Sequence, residues 1–363
     1  MISNEKISPV QLSFIIMGFI FGSSAIITPA AAACQDSWLA YIIGWAGGYI
    51  LIGMYVYISI LNPSKTFIEI LKDTFGKYIG SIIGIFYVWY FLHLAGLVFR
   101  NLGEFMVTSI YTETPLIFII VSIALVLIYS LKKGLEVIVK VSQITVPVML
   151  ILVISIFLLV MKHYEVKNLL PFLEYGFSKV LKVGFSVLTF PFGETVVLLM
   201  IFPYINKQKD LFKVSYISLT VIGFILLSVV MSNLMALGAD MLNRDMFPSH
   251  VTISLIPGIA VEPFISVNLL IAGSVKIVIC IYAALIGITQ LFDLDDYKPF
   301  IIPVVTIAIV ISIWIYDSLP EMVRWAGEVY PYYVIPFQII IPALVLVISI
   351  VKNRGQRTEK SRY

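Results

Sequence analysis

The stretch FPFGE at residues 190–194 decides the fold, because it puts a proline, a glycine and a carboxylate inside an apolar run of membrane length. Pro191 removes a backbone N–H and clashes with the preceding helical turn, and Gly193 permits unusual backbone dihedrals. Backbone groups freed in this way are tolerated in a bilayer only where protein or a wet cavity surrounds them. The stretch therefore predicts a broken helix that forms one wall of a binding site. The alternative is a simple proline kink in a packed helix.

The composition of the whole chain shows which solvent it occupies. Of 363 residues, 60% are hydrophobic and only 12% are charged, which is too few to give a soluble globule a polar surface. Repeated apolar stretches of about 20 residues indicate helices that cross a bilayer. We therefore predict an all-α polytopic membrane protein with ten transmembrane helices. The predicted spans are residues 8–32, 36–61, 79–109, 115–131, 135–161, 178–203, 214–239, 262–291, 299–316 and 330–351.

The charges of the connecting segments predict the orientation in the membrane. With the N-terminus in the cytoplasm, the cytoplasmic connections hold more than twice as many Lys and Arg residues as the exterior ones. This excess favours an arrangement with both termini inside. The basic tail from residue 352 then lies at the anionic inner leaflet of the bilayer, and we expect no nucleic-acid partner for it.

A second weak point lies in the first span, where Gly22, Ser23 and Ser24 interrupt the apolar run. Five predicted spans precede the span that contains FPFGE, and five form the half that starts with it. Broken helices at corresponding positions of two halves are typical of inverted-repeat transporters, whose site lies at the midplane between the breaks. We therefore predict one transmembrane domain made of two five-helix repeats, residues 1–161 and 162–363, in which helices 1 and 6 are broken.

Two charged residues inside the spans have no local partner of opposite charge. Lys276 lies near the centre of the eighth span, where a lysine facing lipid would cost about 3 kcal/mol or more, so it must face protein or water. Glu194 has two interpretations: a carboxyl that takes up a proton, or a cap for backbone N–H groups at the start of the second half-helix. We treat both residues as candidates for coupling or gating.

The third span carries a polar face with His93, Arg100 and Glu104. Arg100 and Glu104 have the i,i+4 spacing that lets opposite charges neutralise each other on one helix, as do Glu136 and Lys140 in the fifth span. We favour a structural role for these pairs. The alternative for the third-span residues is a place in the vestibule of the site.

No sequence motif indicates an enzyme. The three histidines are scattered, and no Walker A, GxGxxG, HExxH or GxSxG pattern is present. We therefore predict no catalytic residue, no metal site and no cofactor.

The stretches KISPVQLSFIIMGFIFGSSAIITPA and FPFGETVVLLMIFPY, together with the ten-span layout, resemble the spore germination permease family. Its members are the B subunits of endospore nutrient-germinant receptors and belong to the amino acid, polyamine and organocation transporter superfamily. The resemblance implies a LeuT-like fold whose first and sixth helices unwind at the ligand. Gly22 and Ser23 match the Gly-Ser-Gly-like signature of the first helix, with Ser24 as a departure. The sixth helix resembles the aromatic-Gly-Glu pattern at Phe190, Phe192, Gly193 and Glu194, with Pro191 as a departure.

The resemblance also implies a ligand, partners and a location. The ligand would be a small nutrient, commonly an amino acid. Its carboxylate would lie on backbone N–H groups at residues 22–24, its ammonium on carbonyls freed at residues 190–192, and its side chain near Phe190 and Phe192. Lys276 would take the place of the sodium ion that coupled relatives hold between helices 1 and 8, either as a coupling or gating charge or as a permanent link between helices. The partners would be a larger membrane A subunit and a lipoprotein C subunit, in the inner membrane of the spore.

Three functions remain open on the sequence alone. The chain is a ligand-sensing receptor subunit, a proton- or sodium-coupled amino-acid permease, or an ion or water conduit that partner subunits gate. All three need the same broken helices. The exterior segment 240–261 is a lid or a plain connection, and its apolar residues predict a short helix.

Overall fold

The computed structural model describes residues 6–25, 27–28, 30–256 and 262–360. Within these ranges the regular structure is helical, apart from one isolated β-bridge. The α-helices in chain order are α1 (Pro9–Phe21), α2 (Ser37–Leu61), α3 (Phe67–Phe75), α4 (Lys77–Ser109), α5 (Leu116–Lys133), α6 (Leu135–Val160), α7 (Phe177–Val187), α8 (Leu211–Arg244), α9 (Pro248–Ser254), α10 (Glu262–Leu291), α11 (Ile301–Trp314), α12 (Leu319–Glu328), α13 (Tyr330–Tyr333) and α14 (Ile341–Lys360).

The described helices confirm a polytopic membrane protein. Eight helical segments of the described chain are long and apolar enough to cross a bilayer, and a ninth span results if α11 and α12, bent by 98°, count as one. The helix α1 is apolar but has only 13 residues before its break, so it falls short of membrane length by itself. The predicted number of ten spans therefore stays a prediction.

The first predicted break is present at the end of α1. Ser8 caps the start of α1 in a capping box, in which its side chain accepts from the N–H of Gln11 and the Gln11 side chain accepts from the N–H of Ser8. The α-helix ends at Phe21, because Gly22 adopts φ 13° and ψ −117°, outside the helical region. A 3₁₀ turn, Gly22–Ala25, follows.

The second predicted break is present in the sixth predicted span, residues 178–203. We call this span helix 6, and it is distinct from α6. The helix α7 runs into a wide turn, Leu188–Phe192, and continues as a 3₁₀ helix, Gly193–Met200. Phe190 has extended backbone angles, φ −134° and ψ 111°, which interrupt the ladder of helical hydrogen bonds. The Phe190–Pro191 peptide bond is cis. The extended angles of Phe190 make FPFGE a true break rather than a kink in a continuous helix.

The helices α4 and α10 form the centre of the bundle. A Cβ atom added at Gly273 would lie 2.5 Å from the Leu102 side chain, and one added at Gly287 would lie 2.8 Å from Val88. The missing side chains of Gly273 and Gly287 on α10 therefore allow α4 to approach closely. This packing places Lys276 in the interior, with a relative exposure of 0%.

The isolated bridge ties the two broken helices together near their ends. The Ile7 N–H, just before α1, donates to the Tyr204 carbonyl at 2.9 Å, and the Asn206 N–H donates to the Ile7 carbonyl at 2.9 Å. The partners of Ile7, Tyr204 and Asn206, follow the 3₁₀ helix Gly193–Met200 of helix 6. The start of helix 1 and the end of helix 6 are therefore joined by main-chain hydrogen bonds.

The segment predicted as a lid or connection contains the expected short helix, α9. Residues 257–261 at its end lie outside the described residues. The helix α9 packs against α8 and α6.

Candidate functional site

A buried cluster of charged and hydroxyl groups joins the two broken helices. Lys276 Nζ of α10 donates to Glu194 Oε2 of helix 6, and the Tyr330 hydroxyl of α13 donates to Glu194 Oε1. The relative exposures of Lys276 and Glu194 are 0% and 1%. A carboxylate and an ammonium at this depth must satisfy each other, because an unpaired buried charge is far more costly than a paired one.

The break in helix 1 makes room for the lysine. A Cβ atom added at Gly22 would lie 2.6 Å from Cδ of Lys276, so only glycine lets the lysine stem pass. The ammonium also lies 4.9 Å from the ring centroid of Phe190 and 5.5 Å from that of Phe19, within the range of cation–π attraction. Lys276 thus contacts three residues that were predicted as site residues: Gly22, Phe190 and Glu194.

The freed backbone of helix 6 is held by side chains from other helices. Gln338 Nε2 donates to the Thr189 carbonyl at 3.1 Å and to the Tyr90 hydroxyl at 2.9 Å. The Tyr55 hydroxyl donates to the Gly193 carbonyl at 3.2 Å and to the Gln338 carbonyl at 2.7 Å. The break therefore persists because buried partners replace the hydrogen bonds that the helix loses.

A cavity opens beside the Glu194 carboxyl, between the first break, α4, the second break and α12. Its space amounts to about 400 Å³ and is partly open to the surroundings. Its polar wall includes Glu194, Asn101, Tyr316 and Tyr330, and its apolar wall includes Ile27 and Leu97. Glu194 is the one charged side chain among the described residues that line it. We call this space the Glu194 cavity.

The predicted ligand-binding residues are divided between this cavity and the surrounding packing. Phe190 lines the cavity, whereas Phe192 packs on α2, where a Cβ atom at Gly48 would lie 2.9 Å from its ring. Pro191 is buried, and Gly193 faces Gln338, whose Oε1 lies 2.0 Å from the Cβ position of the glycine.

The first-helix residues show a similar division. The Ser24 hydroxyl donates to the Ile20 carbonyl at 2.9 Å, and the N–H of Gly22 bonds to the Gly18 carbonyl. The side chain of Ser23 lies outside what the structure describes. The polar groups of Gly22 and Ser24 therefore satisfy the end of α1 in this conformation.

The third-span residues lie on the packed side of α4. Arg100 pairs with Glu104 at 2.7 Å and donates to the carbonyls of Ser312 and Ile313 on α11, at 3.2 and 3.1 Å. The Arg100 side chain thus links α4 to α11. His93 is buried among the rings of Trp89, Trp325 and Tyr333, at centroid distances of 5.8, 5.6 and 5.2 Å.

Sequence reasoning missed several residues of the site. Gln338 had a usable signal, because it is a polar residue inside the apolar tenth span. Tyr330 had none, since nothing in the pattern separates it from the other 19 of the 20 tyrosines. Asn101 lies one residue after Arg100 on the polar face of the third span, and an uncharged amide there carries no signal of its own.

Comparison with known proteins identifies relatives over the length of the chain. A family profile described as "Spore germination protein" matches residues 6–319. Spore germination protein KB of Bacillus subtilis (strain 168) is 31% identical over 368 residues, which cover 98% of this chain and 97% of that protein. Spore germination protein YndE of the same organism is 24% identical, with coverage of 97% and 99%.

Solved transporter structures share the fold. Mhp1, a nucleobase-cation-symport-1 family transporter in a closed conformation with bromovinylhydantoin bound, matches with a TM-score of 0.72 at 12% identity, over 89% of this chain and 75% of that one. MhsT in complex with L-phenylalanine matches with a TM-score of 0.67 at 14% identity, over 95% and 96%. A Na⁺-coupled sialic acid symporter in a substrate-bound outward-open state matches with a TM-score of 0.68 at 9% identity, over 96% and 89%. These likenesses confirm the LeuT-like fold, and at such low identity they show the fold alone.

Proposed function

Because the chain belongs to the spore germination protein family, we propose that it is the nutrient-binding membrane subunit of a germinant receptor. Its ligand is a small amino acid, bound in the Glu194 cavity between broken helices 1 and 6. Binding shifts the population between two arrangements of the bundle, and the partner subunits respond to that shift.

The observation that carries the proposal is the chemistry of the Glu194 cavity. Its carboxyl faces a space of about 400 Å³ that also has an amide, at Asn101, and apolar walls. An α-amino acid has matching parts, because its ammonium suits Glu194, its carboxylate suits the Asn101 amide and its side chain suits Leu97 and Phe190. A ligand ammonium at Glu194 competes with Lys276 for the same carboxyl, so binding is coupled to the charge pair that joins the two breaks.

Membership of the family supports a proposal for the partners and the location. We propose that the chain assembles with an A subunit and a lipoprotein C subunit in the inner membrane of the spore, with both termini in the cytoplasm. The excess of Lys and Arg in the connections that would then be cytoplasmic supports this orientation.

The test is thermal unfolding of the purified chain in detergent against a panel of L-amino acids, nucleosides and sugars. A ligand at 100 times its dissociation constant stabilises the folded state by about 2.7 kcal/mol, so a binder gives a saturable shift. We expect Ala326→Phe, which fills the cavity from α12, to abolish the shift for the amino acid that binds the unmodified chain.

The matched control is Gly327→Phe, because Gly327 is the next residue on α12 and a Cβ atom there would meet nothing within 4 Å. This variant should keep the full shift. An amino-acid shift that survives in a folded Ala326→Phe protein would place the nutrient elsewhere and overturn the proposal.

A coupled amino-acid permease is the second candidate, and the shared fold of known transporters favours it. The two candidates differ in whether the ligand crosses the bilayer. We expect purified chain in liposomes to bind the amino acid without accumulating it, with or without a proton or sodium gradient. Saturable uptake that Ala326→Phe abolishes would establish the permease instead, and ion or water flux without ligand uptake would indicate a conduit.

A further inference from the structure

A second cavity lies on the other side of the first break, and no part of the proposed function uses it. It is a partly open space of about 510 Å³ between the end of α1, at Phe21, and the helices α6, α8, α9 and α10. It shares no lining residue with the Glu194 cavity. We call it the α9 cavity, because α9 forms one of its walls.

The α9 cavity has a polar wall of hydroxyls and carboxamides. Its members come from three helices and are Ser232, Asn233, Ser249, Thr252 and Asn268. Asn233 Nδ2 donates to Ser249 Oγ at 3.0 Å, and the Tyr164 hydroxyl donates to Ser232 Oγ at 2.7 Å. The first bond holds α9 against α8, and the second holds α8 against the segment that follows α6.

Two atoms of this wall are buried without a hydrogen-bond partner. Thr252 has a relative exposure of 1% and Asn268 of 4%, and neither Thr252 Oγ1 nor Asn268 Oδ1 has a partner among the described residues. Most buried polar groups in proteins are paired, and an unpaired one costs about 1–3 kcal/mol. Two such atoms on one cavity wall are the arrangement expected of a site whose occupant supplies the missing bonds.

The wall also defines the chemistry of that occupant. No charged side chain is among the described residues that line the cavity, so an ionic ligand would lose its hydration without gaining a counter-charge. Asn268 Oδ1 can only accept, so the ligand must bring an N–H or O–H donor. The remaining lining is apolar and includes Phe21 and Phe157, which suit an apolar body.

From these features we propose that the α9 cavity is a second small-molecule site, which takes an uncharged amphipathic ligand with a carboxamide or hydroxyl group. The polar group contacts Thr252 and Asn268, and the apolar part lies against Phe21 and Phe157. The ligand touches the last residue of α1 and therefore acts directly on the element that ends at the first break.

Three molecules of one size test the proposal: benzamide, benzoate and benzylammonium. Each is titrated to about 10 mM against the full chain in detergent, a range that covers the affinity of so small a ligand. We expect benzamide to raise the unfolding temperature saturably. Benzoate brings no donor and benzylammonium brings an unpaired charge, so neither should do so.

Thr252→Val is the variant that separates a binding role from a structural one. It removes an unpartnered hydroxyl, so the protein without ligand should unfold at the same or a higher temperature, while the affinity for benzamide falls by roughly 3- to 10-fold. Thr306→Val is the control, because it makes the same change at an exposed threonine of α11 that lines neither cavity. It should leave the affinity unchanged.

Three results would each overturn the proposal. The first is no saturable shift with benzamide, which would mean that the cavity holds water at most. The second is an equal shift with benzoate or benzylammonium. The third is an affinity for benzamide that stays the same in both Thr252→Val and Asn268→Leu.

Discussion

At the scale of single residues, Glu194 is the point at which the two halves of the site meet. The sequence predicts that Lys276 faces protein, because a lysine in lipid is costly, and it predicts an unusual role for Glu194. It does not predict that the two residues bond to each other, because they are 82 positions apart and no local pattern links them. Of the two interpretations of Glu194, the contacts with Lys276 and Tyr330 put the side chain among other side chains rather than on backbone N–H groups.

The ion pair should be essential to stability. We expect Lys276→Met to lower the free energy of unfolding by about 3–5 kcal/mol, because it leaves the Glu194 carboxylate buried and uncompensated. The double variant Lys276→Met with Glu194→Gln removes both charges and should recover most of this loss. Denaturant unfolding in detergent of the single and double variants measures the difference.

A matched pair on the protein surface is the control for this cycle. Lys140 Nζ lies 3.7 Å from Glu136 Oε2 on α6, and half or more of each side chain is exposed. Lys140→Met should therefore lower the free energy of unfolding by only about 0–1 kcal/mol. If Lys276→Met were as mild as Lys140→Met, the buried ion pair would not be holding the two breaks together.

At the scale of elements, the break in helix 6 depends on the tenth span. The wide turn Pro336–Ile340, which precedes α14, aims the Gln338 side chain at the carbonyl of Thr189. Gly193 is required because the amide oxygen of Gln338 occupies the place of its missing side chain. The broken helix is therefore a property of two segments that are far apart in sequence.

Replacing this glycine should disturb the tenth span rather than the sixth helix alone. Gly193 has helical angles, so alanine suits its backbone, but the added Cβ atom displaces Gln338 from Thr189 and Tyr90. We expect Gly193→Ala to cost about 1–3 kcal/mol of unfolding free energy. In a Gln338→Ala background the same change should cost little, and this non-additivity identifies the contact.

The control for this cycle is Gly327→Ala on α12. A Cβ atom there meets nothing, so alanine should be neutral or stabilise the helix by roughly 0.5–1 kcal/mol. Equal costs for Gly193→Ala in both backgrounds would show that Gln338 does not support the break.

The sequence could predict where the helices break but not what surrounds the breaks. Gly22, Pro191 and Gly193 are residue types with low helix propensity, so the breaks can be recognised from the sequence alone. The partners of the break are tyrosines and a glutamine from α2, α4 and the tenth span, and the distances between them arise only from tertiary packing. The short helix α12, which is bent by 98° from α11, was also missed, because its ten residues mix polar and apolar side chains and lie between two predicted spans.

At the scale of the whole molecule, the two cavities border the chain before and after the first break. Phe21 lines the α9 cavity and Ile27 lines the Glu194 cavity, so the turn at Gly22 lies between them in the chain. If the ligands of both sites distinguish two arrangements of this turn, each ligand alters the affinity of the other site.

This geometry predicts coupling between the two ligands. We expect saturating benzamide to change the dissociation constant of the bound amino acid by severalfold, and the amino acid to change that of benzamide by the same factor, since coupling is reciprocal. Paired titrations of the full chain, each in the presence and absence of the other ligand, measure both factors. Affinities that do not respond to each other would show that the Gly22 turn is rigid in both states.

The bridge at Ile7 has a mechanical consequence for the bundle. The start of α1 cannot swing away from the end of helix 6 unless both main-chain hydrogen bonds of the bridge break first. We expect the start of α1 and the end of helix 6 to move together when the bundle rearranges about the two breaks. We therefore expect a displacement at the ligand to reach the start of α1 and the end of helix 6 together, where a neighbouring protein could respond to both.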